Sequence, residues 1–304
     1  MSIRRPLLRL LSAGLVLVAL LVLASEPTGA IQAASLEPRP LRATNVPCGI
    51  LSTDTTWTLA GSPYVLQPVT GYNSLTVAAN VTLTIEPGVV VQAGSVSTGL
   101  IIEGHLEAVG TEAQPIVFTS QADSGPGEWL GLTFDGGTGN LRHTIVRHTG
   151  RRIYTCPGGV NSAAISVVNV QTGTVTLADS QVLNSAYYDN SDHGLCVKDS
   201  RVVVSDTLFS GIGDNASQLE YPIYIGGPTS EVRLSGLHLE GNIYNRVMLL
   251  EGALTGHDFT LAAQPEMEGY ELYTGADGGD FVVPAGITMT VEPGVTLLNN
   301  WDLS

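Results

Sequence analysis

Charge is scarce in this sequence, and positive charge scarcest: 13% of 304 residues are charged, and 13 Lys and Arg against 28 Asp and Glu leave a formal net charge of -15. Such a surface repels phosphate backbones and anionic lipids, which argues against nucleic acid as a partner. Helical periodicity is missing as well. Beyond the first 34 residues no segment keeps apolar residues at i, i+3, i+4 and i+7 for three turns, so the chain reads as all-β. Two-residue hairpin turns are few: Asp135-Gly136 and Asp277-Gly278 are the two Asp-Gly pairs and there is no Asn-Gly, against a fold built from hairpins. No later run is long and apolar enough for a membrane helix, so no membrane span is expected in the mature chain.

What is present starts with the N-terminus. Arg4, Arg5 and Arg9 precede an aliphatic run from Leu10 to Leu23, and small residues follow at Ala24, Ala30, Ala33 and Ala34. The pattern is that of a secretory signal peptide, and the apolar run is shorter than the ~20 residues that span a bilayer. Residues 1–34 are therefore expected to be the signal and cleavage region of a protein that is secreted or held at the cell surface. Residues 35–54, with Pro38, Pro40 and Pro47 and no periodicity, read as a lead-in linker.

From Thr55 short strands of alternating apolar and polar residues follow one another, separated by Gly, Pro, Asn or Ser. Their clusters recur about every 20–25 residues, the spacing of a solenoid in which each coil stacks on the last. One stretch organises the series: Val81–Val91, VTLTIEPGVVV, is echoed by Ile287–Leu297, ITMTVEPGVTL. In both, a period-2 strand ends in Glu-Pro-Gly, where proline presets φ and glycine opens the φ range that a tight corner needs. Residues 55–256 read as one solenoid, and residues 257–304 as the start of a second module, either truncated or acting as a cap.

The strings Thr82–Val91, Gly99–Ser120 (GLIIEGHLEAVGTEAQPIVFTS), Gly127–Phe134 (GEWLGLTF) and Gly139–Gly150 (GNLRHTIVRHTG), in that order, closely resemble the opening coils of secreted bacterial right-handed parallel β-helix proteins of the pectin-lyase-like superfamily. The resemblance implies a three-faced coil of short parallel strands. It also implies a class in which the enzymes cut acidic polysaccharides, although scaffold motifs do not fix function.

Loops break the coil pattern at Arg151–Asn161, Tyr187–His193 and Gly211–Tyr221, and loops thrown out of a solenoid are its usual binding surface. Tyr187 and Tyr188 offer rings for stacking on sugars, and Arg151 and Arg152 offer cations for an anionic glycan; these four are the expected ligand-binding residues. Cys156 and Cys196 are expected to form a disulfide between neighbouring coils of an exported protein. Cys48 is left over, and its state stays open.

Hydrolysis of a glycosidic bond requires two placed carboxylates, and lyase chemistry requires a base with a partner for the developing charge. The candidates for either are Asp192, Asp199, His193 and Arg147. Asp192-His193-Gly194 partly resembles the Asp-bearing coil of polygalacturonases. It lacks an adjacent Asp pair, a later Gly-His-Gly and an Arg-Ile-Lys. His143 and His148 read as corner residues, with the arginines around them balancing local acid. No cofactor or metal site is expected; Glu266, Glu268, Glu271, Asp277 and Asp280 could hold Ca²⁺ weakly, without EF-hand or nonapeptide spacing. The favoured function is a non-catalytic structural, adhesive or glycan-binding role on extracellular polysaccharide or cell-surface glycan, with a polysaccharide lyase or glycoside hydrolase as the alternative.

Overall fold

A computed structural model describes residues 43–150, 162–186, 192–214, 220–250, 252–273 and 281–299. Within them the chain winds through successive coils of short strands. The first coil is β1 (Thr44–Pro47), β2 (Gly49–Leu51) and β3 (Thr55–Trp57), the second β4 (Tyr64–Gln67), β5 (Leu75–Val77) and β6 (Thr82–Ile85), the third β7 (Val90–Ala93), β8 (Gly99–Ile102) and β9 (His105–Val109). The fourth is β10 (Ile116–Ser120), β11 (Gly131–Asp135) and β12 (Thr138–Arg142), and the fifth β13 (Thr144–Arg147), β14 (Ser162–Val168) and β15 (Val175–Ala178). The sixth is β16 (Gln181–Ser185), β17 (Asp192–Lys198) and β18 (Arg201–Ser205), and the seventh β19 (Leu208–Ile212), β20 (Tyr221–Gly226) and β21 (Glu231–Ser235). Then follow β22 (His238–Glu240), β23 (Arg246–Leu250), β24 (Phe259–Leu261), β25 (Gly269–Tyr273), β26 (Met289–Val291) and β27 (Leu297–Asn299).

Like strands of successive coils stack in parallel. Sheet A runs β1-β4-β7-β10-β13-β16-β19-β22, sheet B runs β2-β5-β8-β11-β14-β17-β20-β23-β25-β27, and sheet C runs β3-β6-β9-β12-β15-β18-β21. Strands β24 and β26 form a two-stranded sheet of their own. Period-2 alternation places one face of each strand inside, so equivalent residues stack into ladders: Leu141 on Leu177, Leu177 on Val204, Val204 on Leu234. The core they share is one cluster from Cys48 to Tyr270.

Corners are sharp where a residue takes a left-handed backbone. His143, Asp179 and Asp206 do so between sheets C and A, His148 between A and B, and Asn169 and Asp199 between B and C. Asn and Asp tolerate this region because their short side chains bond locally. In the Glu-Pro-Gly corner Gly88 takes φ 80°, and its echo Gly294 takes φ 90°.

The sequence and the structure part in two places. Strands β1 and β2 lie inside residues 35–54, read from sequence as lead-in. Pro47 is compatible with a strand there because it ends an edge strand, where a missing N–H breaks no ladder bond. Strands also continue past His257, with β25 and β27 extending sheet B. No helix among the described residues is long and apolar enough to cross a membrane.

Candidate functional site

Corner length singles out one flank. Between sheets C and A the later corners are short, as at 143, 179–180 and 206–207. The connections from sheet A to sheet B are longer in four successive coils: 121–130, 148–161, 186–191 and 213–220. All leave the same edge of the solenoid because A-to-B is the same step in every coil.

Beside this flank, the outward face of sheet B is covered rather than exposed. Strand β20 is buried at every position, YPIYIG, a continuous apolar run of the kind that strands covered on both faces show. A second apolar cluster, separate from the core, holds Ala163, Cys196, Tyr221, Tyr224 and Met248. These come from neighbouring strands: Ala163 pairs with His193, His193 with Tyr221, Cys196 with Tyr224, Tyr224 with Met248, and Met248 with Glu271.

His193 lies at the centre of this face and is fully buried. Its Nδ1 lies 3.2 Å from the Tyr221 N–H and 3.3 Å from the Tyr221 carbonyl, so the ring tautomer sets whether it accepts from the one or donates to the other. Nε2 has no hydrogen-bond partner among the described residues. Burial disfavours the imidazolium and takes the His193 pKa down to about 3, against a small opposing effect of the Tyr221 backbone. The ring packs 4.6 Å from that of Tyr224, and Tyr221 stacks on Tyr244 at 5.3 Å.

Tyr221 donates its hydroxyl proton to Glu271 Oε1 at 2.8 Å, and Arg246 Nη1 donates to Glu271 Oε2 at 3.1 Å. Arg246 Nε reaches Glu268 Oε2 at 2.6 Å, and its guanidinium lies 5.1 Å from the centre of the Tyr244 ring. Burial pushes the Tyr221 hydroxyl far up, helped by the Glu271 charge, and burial also raises Tyr224. Burial works against the Arg246 cation, but its hydrogen bonds to Glu268 and Glu271 outweigh that and raise it. His193, Tyr221 and Tyr224 thus hold their protonation near neutral pH, and the network ties four successive strands of sheet B together.

A second polar group lies one coil earlier on the same flank. Arg147 holds Asp123 through Nε at 2.8 Å and Nη2 at 2.5 Å, a fork that matches a carboxylate. Partial burial of Asp123 is outweighed by the Arg147 and Thr119 hydrogen bonds and by nearby positive charge, which lower its pKa. His148 Nδ1 is 2.9 Å from Asp123 Oδ1 but out of line for a hydrogen bond. Glu128 accepts hydrogen bonds from Ser120 and Ser124, and Trp129 Nε1 donates to the Arg147 carbonyl at 2.7 Å.

A family model described as a pectate-lyase-like beta helix domain matches residues 52–151. The chain is a parallel β-helix protein. No curated protein and no solved structure matches it. The β-helix is right-handed, the sense that parallel β-crossovers adopt.

Within this β-helix the three catalytic candidates whose side chains are described, Arg147, His193 and Asp199, do not form one group. Arg147 is bound to Asp123 on the A–B flank, whereas Asp199 turns the B–C corner and accepts from the Thr229 N–H at 3.2 Å and its hydroxyl at 2.9 Å. His193 is buried under the flank. Asp192 begins β17, and its side chain lies outside the described residues, as do Arg151, Arg152, Cys156, Tyr187 and Tyr188. Cys196 is buried on the outer face of sheet B. Cys48 is a free, buried thiol; it faces the Asn73 carbonyl at 3.3 Å, and burial raises its pKa. Of the acidic run, Glu268 and Glu271 are bound to Arg246, Glu266 lies 3.6 Å from His238, and Asp277 and Asp280 lie outside the described residues.

Sequence reading missed Tyr224, Tyr244 and Arg246 as members of a site and placed Glu271 in an acidic run that could hold Ca²⁺ weakly. The available signal was Tyr221-Pro222-Ile223-Tyr224-Ile225, apolar at both parities, which marks a strand covered on both faces.

Proposed function

We propose that this is a secreted, non-catalytic β-helix with a structural or adhesive role, binding extracellular polysaccharide or cell-surface glycan through its A–B flank. The observation that carries the reading is the concentration of long corner segments in four successive coils on one flank, the last two of which lead into β17 and β20, strands tied by the buried network of sheet B. Binding loops on rigid solenoids have this arrangement. Arg151, Arg152, Tyr187 and Tyr188 fall in the sequence of those corner segments and supply cations and rings for an acidic glycan. A disulfide between Cys156 and Cys196 would fasten the corner at 148–161 to β17, and export through residues 1–34 would allow it to form.

Support for a non-catalytic role comes from the separation of Arg147 and Asp199 onto different corners and from the burial of His193. The test is to incubate the purified protein with polygalacturonate, alginate and neutral glycans, with and without calcium, and to follow both retention and product. Retention on a glycan without growth of unsaturated product or reducing ends is expected. Steady product formation that is lost in Arg147→Ala would establish the lyase or hydrolase instead.

A further inference from the structure

Sheet C is interrupted between β21 and β24, although sheet B continues without a break from β20 to β23 at the same level. A cavity of about 730 Å³ opens there, lined by Val232, Leu234, Leu249, Leu254, Phe259 and Leu261 among others. Val232 and Leu234 are half-buried, whereas their ladder partners one coil earlier, Val202 and Val204, are 1% and 0% exposed. The inner face of β21 is built for cover that the next coil does not supply.

Both walls of the cavity are unpaired strand edges. The Glu231 N–H donates to Ser200 and the Ser235 carbonyl accepts from Asp206, so alternate residues of β21 direct their peptide groups to β18. Val232, between them, directs its N–H and C=O into the gap. On the facing wall the Phe259 N–H and the Leu261 carbonyl bond to the β26 side, which leaves Thr260 directed into the gap. Among the described residues neither Val232 nor Thr260 has a backbone partner on that side.

Side chains already fill the place of a strand at each end. His257 Nε2 is 2.8 Å from the Ser230 carbonyl. At the other end the Gln264 amide acts as a peptide unit would: its nitrogen donates to the Leu234 carbonyl at 3.0 Å and its oxygen accepts from the Leu237 N–H at 3.3 Å. An amide therefore suits this edge chemically. On the outer rim Arg233 is exposed and forms no ion pair among the described residues, so the rim favours an acidic neighbour.

We propose that the gap between β21 and β24 is an acceptor site for one extended peptide strand of a partner protein, about three to five residues long. Its apolar side chains at alternate positions would face Val232, Leu234, Phe259 and Leu261, and an acidic residue between them would face Arg233. Strand addition of this kind draws affinity from main-chain hydrogen bonds and specificity from alternate side chains.

The test uses a fluorescent, N-acetylated and C-amidated pentapeptide of alternating valine and threonine with aspartate at its central outward position, followed by anisotropy on the full chain. Saturable binding is expected. It should weaken at least tenfold when proline replaces the inner residues and removes backbone donors, and at least tenfold in Arg233→Glu, an exposed change that spares the fold. In that variant the same peptide with lysine for aspartate should bind better than the original. Leu234→Trp, with its melting curve checked, should fill the gap and abolish binding. A concentration-dependent dimer dispersed by the peptide would name a second copy as the source of the strand. No binding at millimolar peptide, equal binding of the proline control, or equal competition by a fatty acyl chain would overturn the proposal.

Discussion

The coils from β4 to β21 and the end from β22 to β27 are built from the same kinds of strand, yet they bury them differently. In the first region all three sheets are continuous, and ladder residues such as Leu141 and Val204 are fully buried. In the second, sheet A stops at β22, sheet C gives way to a separate pair, and only sheet B runs on. Strand β18 alternates between buried and open positions as a covered strand does, and β21, its neighbour, has no fully buried residue. The residues of β21 are no less apolar at the inner positions. A solenoid strand takes its burial from the coil that follows it, so the loss of one ladder exposes a strand whose own sequence is unremarkable in composition.

The comparison can be pressed hardest in the regular coils. Phe134→Ala, at a fully buried position of β11, is expected to cost ~3–5 kcal/mol in urea unfolding, because the packed ladder cannot collapse into the cavity. Glu271→Gln comes next at about 3 kcal/mol, since it leaves Arg246 and the Tyr221 hydroxyl short of a buried charged partner. Retention of wild-type stability in that variant would mean that the outer face of sheet B is not held by this network.

His193 supplies a pH dependence of known sign. Its folded pKa is depressed to about 3 from 6.5, so the unfolded chain binds a proton that the folded chain refuses between those values. Its contribution is fully present above pH 6.5 and is lost as pH falls toward 3, at a slope of up to ~1.4 kcal/mol per pH unit. His193→Gln should flatten that part of the stability profile, measured against the separate loss at lower pH as the depressed Asp123 carboxylate takes its proton. The smallest effect belongs to the interrupted end: Leu234→Ala is expected to cost less than ~1 kcal/mol, below Val204→Ala one coil earlier despite removing the larger side chain.

Much of the fold was legible in the sequence. Period-2 alternation in Val81–Ile85, Glu-Pro-Gly at the corner and the regular return of strand clusters all report local geometry, and the echo at Ile287 shows the same strand and turn. The corner role of His143 and His148 was legible for the same reason, and both take positive φ. The candidate site was less legible. His193, Tyr221, Arg246 and Glu271 come from four strands, and the distance between them in sequence says nothing about their stacking until the register is known. The break in sheet C was not legible at all: Val232 and Leu234 alternate as Val202 and Val204 do, and what differs is the path of the chain from Gly252 to Asp258. Strand β1 was hidden by Pro47, a residue that marks a loop in most settings and here only ends an edge strand.

Amide hydrogen exchange on Val202 and Val232 tests the interrupted-sheet account most directly. The two residues pair in the same parallel ladder, but the Val202 amide faces β21 and the Val232 amide faces the gap. Val202 is expected to exchange at least a hundredfold more slowly than Val232 under native conditions. Equal protection of the two would show that β21 is covered by a further strand of the chain itself, and that the coils are continuous where the structure divides them.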